Sequence, residues 1–207
     1  MSNPDQHDLD AANQTLKYLN ATYDYGIGYR SKGNRLPYLY ADSDDGADET
    51  RRSCAGYMSV IADGPLYWKS AMIDALSLSS CESEIRAINM AKEPIKEILK
   101  LKNWMTDIEN ALALTSSPNS HSILTDVPTE ILEDNKACID WSKHTTNSTK
   151  LRHLERDLKW IQKFVQEGSI RLVHIPTTNQ IADIFTKALH SVQFCYLRDR
   201  FLFKFKT

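Results

Sequence analysis

The chain has 207 residues, 42% hydrophobic and 25% charged, enough for one globular domain with a real core and an appendage. A net charge of −2 and a pI near 6.3 exclude a protein that holds nucleic acid by bulk charge alone. The sequence has no apolar run of membrane-spanning length and no signal-like start in MSNPDQHDLD, and Cys54, Cys81, Cys138 and Cys195 form no C-x-x-C pair, so a membrane span, a paired-cysteine zinc site and a disulfide framework are set aside in favour of a reducing, intracellular compartment, cytoplasmic or nuclear.

Taken in order, residues 6 to 22 place Leu9, Ala12, Leu16 and Leu19 at helical spacing. Turn glycines follow in YDYGIGYRSKGNR. Strands are expected over 35–42, around 54–62, and from about 66 to 78 after a hairpin turn at Asp63-Gly64-Pro65. From Ser80 the period becomes helical, with Ile85, Ile88, Ala91, Ile95, Ile98, Leu99 and Leu101 as the apolar set, and Pro94 is expected to kink or split the helix. Residues 112 to 128 read as a loop. TEILED is a short strand, and NKACIDWSK is a short helix capped by Asn135. STKLRHLERDLKWIQKFVQEG is an amphipathic helix stopped by Gly168, SIRLVHIP is a strand, and NQIADIFTKALHSVQFCYLRDRF reads as one final helix. The order β-β-β-α-β-α-α-β-α implies a mixed sheet flanked by helices.

The stretch LPYLYADSDDGADETRR runs an apolar strand into Asp42, Asp44, Asp45, Asp48 and Glu49. Two readings are open: a solvated acidic turn, or a metal ligand held at a strand end. Four acids stand out by position. Asp42 ends the first strand, Glu84 lies early in the first long helix, Asp134 ends the fourth strand, and Asp183 lies in the first turns of the last helix, where the helix dipole favours an anion. Glu84 shares a stripe with Ala87, Ile88 and Ala91, whereas Glu82 points elsewhere, and strand alternation separates Asp134 from Glu133. Alone, each is a surface carboxylate or a cap; Asp134 just before Asn135 is a cap candidate. Together at one end of a sheet they repel unless cations occupy the site, and Mg2+ suits such hard oxygen ligands. Two ions about 4 Å apart activate water and stabilise the leaving oxygen of a phosphodiester.

Charge is also segregated. Residues 136 to 163 carry seven basic residues (Lys136, Lys143, Lys150, Arg152, Arg156, Lys159 and Lys163) against Asp140, Glu155 and Asp157. This is either the flank that receives a polyanion or an ordinary solvated helix face.

In YADSDDGADETRRSCAGYM, LSSCESEIRAI, LEDNKACIDW and KLRHLERDLKWIQKFVQEGSIRLVHIPTTNQIADIFTKAL the sequence resembles the ribonuclease H domain of copia-type LTR retrotransposon polyproteins. These stretches follow a Y-x-D-x-D start, an S-S-x-E-x-E-x-x-A helix, a D-N strand end and a P-T-x-x-Q-x-A-D-x-x-T-K finish. PDQHDLDAANQTLKYLNATYDYG resembles the segment linking the reverse transcriptase to that domain. The likeness runs from about residue 4 to 190. It implies an α/β ribonuclease H-like fold, a mixed five-stranded sheet of order 3-2-1-4-5 with strand 2 antiparallel. It divides the chain into a linker helix (1–26), a ribonuclease H-like domain (27–190) and a basic helical tail (191–207).

The same likeness maps metal ligands onto Asp42, Glu84, Asp134 and Asp183 and implies two Mg2+ ions, with Mn2+ as substitute. It implies hydrolysis of the RNA strand of an RNA–DNA hybrid to 5′-phosphate and 3′-hydroxyl products. Lys143, Lys150, Arg152, Lys159 and Lys163 then face the DNA strand's phosphates, which position the duplex without specifying sequence. A reverse transcriptase domain is the partner in the parent polyprotein; no membrane partner is implied, and oligomeric state is not fixed. Three features depart from the pattern: Pro94 falls where the family continues its helix, the loop 109–128 is longer, and His174 reads as a strand residue near the position of a mobile histidine in related cellular enzymes. The rival readings are a catalytically silent, domesticated or decayed module that binds nucleic acid or protein, and another nuclease of the same fold such as a resolvase or transposase core.

Overall fold

The computed structural model describes residues 4–45, 53–73, 79–113, 127–143 and 154–205. Its centre is a five-stranded mixed sheet. The strands are β2 (Tyr38–Asp44), β3 (Cys54–Ile61), β4 (Gly64–Met72), β5 (Thr129–Glu133) and β6 (Ile170–His174), in the order β4-β3-β2-β5-β6. β3 runs antiparallel to β2 and β4, while β2, β5 and β6 are parallel. This is the arrangement expected of a ribonuclease H-like fold.

Alternation along the central strand explains the layers. Leu39 and Ala41 face a core built with Ile85, Ala87 and Ile88 of α2 (Ser80–Met90), Ala91 just after it, Ile95 of α3 (Lys92–Ala113), Cys138 and Ile139 of α4 (Lys136–Lys143) and Leu158 and Ile161 of α5 (Glu155–Gln166). Tyr40 faces the opposite core, with Met58, Val60, Ile181, Ala182 and Leu197. Asp42 shares the parity of Tyr40, so the strand carries it toward the second layer.

Local chemistry sets several boundaries. The β3–β4 turn consists of Ala62 and Asp63, at φ 51° and 62°, with Ile61 paired to Gly64. That is a two-residue turn with both central residues left-handed, which suits the twist of a hairpin; it begins one residue earlier than the sequence suggests. The long helix breaks at Ala91. Pro94 sits in the first turn of α3, where its missing N–H costs little, since the carbonyl that N–H would have met is that of Met90, already in α2. Asn135 caps α4, its Oδ1 accepting from the backbone N–H of Ala137 (3.0 Å) and Cys138 (3.2 Å). Gly168, at φ 70°, ends α5 in a left-handed closure, with its own N–H donating to Val165 and that of Ser169 to Phe164.

The C-terminal part differs from the single helix read in the sequence. A 3-10 turn (Thr177–Asn179) leads to a four-residue helix α6 (Asp183–Thr186), and an extended Lys187 separates it from α7 (Ser191–Arg198). The side chains of Thr186 and Lys187, at this break, both donate to Asp42. After α7, β7 (Phe203–Lys204) pairs antiparallel with β1 (Tyr25–Gly26), so residues 191–207 are not helical throughout. Leu197 of α7 is fully buried in the second core.

At the other end α1 (Gln6–Ala21) is closed by a reciprocal cap between Asp5 and Asp8. It has no buried residue. Leu9, Leu16 and Leu19 are 53%, 62% and 57% exposed, and Tyr18 packs edge-on against Phe194 of α7. No helix among the described residues is long and apolar enough to cross a membrane.

Candidate metal centre

Three of the four acids converge. Asp42, Glu84 and Asp134 each offer a carboxylate oxygen within 4.8 Å of the other two. Asp42 and Glu84 are buried, at 1% and 5% exposure. They line an open depression of about 480 Å³ with Asp134, Asn135, Lys136, Ala137, His174 and Lys187.

Each acid is delivered by a different element. β2 brings Asp42 to the sheet's end, opposite Gly56 of β3. α2 projects Glu84 from the stripe of Ala87, Ile88 and Ala91, all fully buried against the sheet. Asp134 follows the last residue of β5. Asn135, not Asp134, does the capping, which leaves the Asp134 carboxylate to the depression.

Asp183 joins through a cation. Lys187 Nζ donates to Asp183 Oδ1 at 2.7 Å and to Asp42 Oδ1 at 3.0 Å. Thr186 donates its hydroxyl to Asp42 Oδ2. The helix-dipole argument for Asp183 does not apply to a helix of four residues; its ammonium partner is what favours the anion. Gly56 permits this packing: a Cβ there would meet Phe185 Cβ at 2.6 Å and Thr186 Cγ2 at 3.0 Å. Gln180, fully buried, ties the same segment to the sheet, its Nε2 donating to the Ala41 carbonyl (2.8 Å) while its Oε1 accepts from the Ala182 N–H (3.3 Å).

Electrostatics follow from crowding. Burial pushes Asp42 up to about 7, against the pull of Lys187 and Thr186 and with the help of Asp183. Burial pushes Glu84 higher, to about 11, reinforced by Glu133, Asp42 and Asp134. Burial raises Asp183 as well, with Lys187 opposing. Burial works against the Lys187 ammonium, but Asp42 and Asp183 outweigh it and hold its pKa above the ordinary lysine value. Glu84 Oε2 is buried without a hydrogen-bond partner. A buried acceptor left bare is costly, and hard oxygens gathered this closely suit a divalent cation such as Mg2+. The residues therefore fit the ions that the sequence pattern implies.

Other acids sort clearly. Glu82 leaves the depression, as the helix spacing requires, but it is 1% exposed and paired with Arg86 at 2.8 Å. Asp45 fastens the end of β2 to its surroundings by accepting from Ser53 and Ser83; Asp48 and Glu49 lie outside the described residues. Glu133 is fully buried, with one oxygen accepting from the Asn135 N–H (3.0 Å) and the other bare, and of the neighbouring carboxylates it pushes Glu84 up the most. Alternation does divide it from Asp134, yet it still presses on the cluster from the protein side.

The basic residues are less concentrated than the sequence implies. Lys150 and Arg152 lie outside the described residues. Lys143, Lys159 and Lys163 are exposed, and none lines the depression. Lys159 pairs with Glu155, and Lys163 lies 3.8 Å from Glu167, each along α5. Among the described residues the cations lining the depression are Lys136 and Lys187, and His174 stands with them at the end of β6. Lys187 was discoverable from its i,i+4 spacing to Asp183. Gln180 stands in the P-T-x-x-Q-x-A-D-x-x-T-K pattern, which marks the residue but not its tie to the sheet; Glu133 carries no such mark, because full burial of a polar side chain leaves none in an apolar period.

A five-stranded mixed sheet in this order, with carboxylates gathered at one end, is a ribonuclease H-like fold. Its relatives include copia-type retrotransposon Pol polyproteins. The retrovirus-related Pol polyprotein from transposon RE2 of Arabidopsis thaliana is 29% identical over 196 residues, 94% of this chain and 12% of its own length. That from transposon TNT 1-94 of Nicotiana tabacum is 26% identical over 192 residues, 91% of this chain and 13% of its own. The chain thus spans about an eighth of the polyproteins it matches. No protein-family profile matches it. Among solved structures, it is similar to LC11-RNase H1 isolated from compost, at 16% identity and a TM-score of 0.48 over 73% of this chain and 93% of that one. That likeness is distant, and the strand order and the placement of the acids stand without it.

Proposed function

We propose that the chain is a metal-dependent endonuclease that hydrolyses the RNA strand of RNA–DNA hybrids and derives from a copia-type retrotransposon polyprotein. The observation that carries this reading is the convergence of Asp42, Glu84 and Asp134 within 4.8 Å at the sheet's end, with Asp183 joined to Asp42 through Lys187. Asp42, Glu84, Asp134 and Asp183 are the proposed ligands of two Mg2+ ions, for which Mn2+ substitutes. Such ions, when bound, supply an activated water and a stabilised leaving oxygen.

The chain's own residues supply position and charge. Thr186 fixes the rotamer of Asp42, and Gln180 holds the Asp183 segment against β2. Lys136 and His174, at the lip of the depression, face the phosphates of the strand to be cut. Lys143, Lys150, Arg152, Lys159 and Lys163 are the proposed contacts to the other strand; Lys159 and Lys163 exchange their glutamate partners for phosphates. Choice of RNA over DNA comes from contacts to the 2′-OH and from groove shape.

The proposed organisation is a nuclease domain over 27–190, flanked by a linker (1–26) and a basic tail (191–207) that meet through the β1–β7 pair. The exposed leucines of α1 are the surface that a reverse transcriptase domain covers in the parent polyprotein. The site of action is intracellular. An RNA–DNA hybrid labelled on the RNA strand, incubated with the purified chain and Mg2+ or Mn2+, tests the reading: cleavage of the RNA strand alone supports it, and an uncut hybrid with both ions rejects it.

A further inference from the structure

Lys187 stands between two of the acids. Its Nζ lies 3.0 Å from Asp42 Oδ1 and 2.7 Å from Asp183 Oδ1, and its side chain is 29% exposed at the depression. The backbone fixes this placement. Lys187 N–H donates to the Asp183 carbonyl at 2.9 Å, closing the short helix so that carboxylate and ammonium sit one turn apart. Thr186 takes the other oxygen of Asp42, so two adjacent residues address the two oxygens of one carboxylate separately. Among the described residues no other ammonium or guanidinium bridges two of the four acids.

A divalent ion held by Asp42 and Asp183 draws on the carboxylate oxygens that Lys187 now occupies. The ammonium and the ion carry like charge and compete for the same acceptors. We propose that Lys187 is a built-in counter-ion of the metal centre: it holds Asp42 and Asp183 together before metal binds, and divalent-cation loading drives it off them. This rests on reading the acids as a metal centre. Without a cation, crowded carboxylates push their elements apart. Lys187 offsets that repulsion and keeps the site assembled. Its flexible four-carbon stem then lets the charge leave, which a bidentate guanidinium fork resists. Lys187 is a positioning residue in this account, and its effect on metal loading differs from that of a purely structural ion pair.

The test is lysine acylation of the native chain, read at Lys187 by peptide mass spectrometry, without metal and across Mg2+ and Mn2+ titrations. Acylation of Lys187 is expected to rise several-fold, with a midpoint matching the metal affinity measured by calorimetry. Lys187→Gln is expected to bind Mn2+ about tenfold or more tightly than the parent, because a competing charge is gone. Lys187→Arg, which keeps the charge, is expected to bind it more weakly than Lys187→Gln. Metal binding with unchanged or reduced acylation of Lys187 overturns the counter-ion role and leaves the metal centre standing. Absence of calorimetric binding and of any metal-induced rise in melting temperature, in parent and Lys187→Gln alike, overturns the metal centre itself and the counter-ion role with it.

Discussion

Glu84→Gln separates a metal ligand from a structural acid. Burial and three neighbouring carboxylates push Glu84 to about 11, so without metal it is a neutral acid at pH 7. Glutamine has the shape of that neutral acid. The substitution therefore leaves metal-free stability within about 0.5 kcal/mol, the range of changes that create neither cavity nor buried charge. The response to metal is different. For a site binding at about 1 mM, 10 mM Mg2+ stabilises the parent by about 1.4 kcal/mol through mass action. A domain of this size gains about 2–4 °C per kcal/mol, so its melting temperature rises by about 3–6 °C. Glu84→Gln, lacking an ionisable ligand, gains less than half of that and loses hybrid cleavage. Differential scanning calorimetry at pH 7 with and without 10 mM Mg2+ makes the comparison. A metal-free Glu84→Gln that melts well above the parent would show that Glu84 is ionised and repelled in the native state. A full metal response in the mutant would show that Glu84 is no ligand. Either result refutes the reasoning.

The metal-free protein is expected to lose stability as pH rises. Asp42 has a folded pKa of about 7 against 3.8 unfolded, so between those values the folded state binds the extra proton and each step upward costs stability, up to about 4 kcal/mol in all. The difference in melting temperature between parent and Asp42→Asn, measured without metal from about pH 4.5 to 7.5, should grow in favour of the mutant as pH rises. Gln180→Ala leaves the Ala41 carbonyl and the Ala182 N–H unpaired in the core, and chemical denaturation is expected to show a loss of about 1–3 kcal/mol. Gly56→Ala drives a methyl group into Phe185 and Thr186; a loss of about 1–3 kcal/mol, with a weakened melting response to Mn2+, is expected because Asp183 moves with that turn.

Residues whose fate is set by local pattern were readable from the sequence. The apolar strand leading to Asp42, the stripe below Glu84, the Asn135 cap and the Gly168 stop each depend on near neighbours. So the elements and three converging acids were legible from the residues, while the strand order came from the resemblance to ribonuclease H domains. The segment after His174 was not. Residues 180–201 contain no proline or glycine and read as one helix. At the break after Thr186 two side chains reach Asp42, 144 and 145 residues away in sequence. The β1–β7 pair is two residues long and has no period to detect. Glu133 lies in an inward position of its strand, where a carboxylate is rarely placed, so alternation showed only that it is divided from Asp134 and not that it is buried beside the cluster.

The central claim is most directly tested by product analysis of one reaction. An RNA–DNA hybrid with end-labelled RNA is incubated with the parent chain and with Asp134→Asn, in Mg2+ and separately in Mn2+. The account predicts that the parent cuts only the RNA strand, leaving 5′-phosphate and 3′-hydroxyl ends, and that Asp134→Asn folds but does not cut. Since Asn135 already caps α4, the loss cannot come from a missing helix cap. Cleavage by Asp134→Asn at the parent rate, or cleavage by the parent after chelation of every divalent ion, would contradict it.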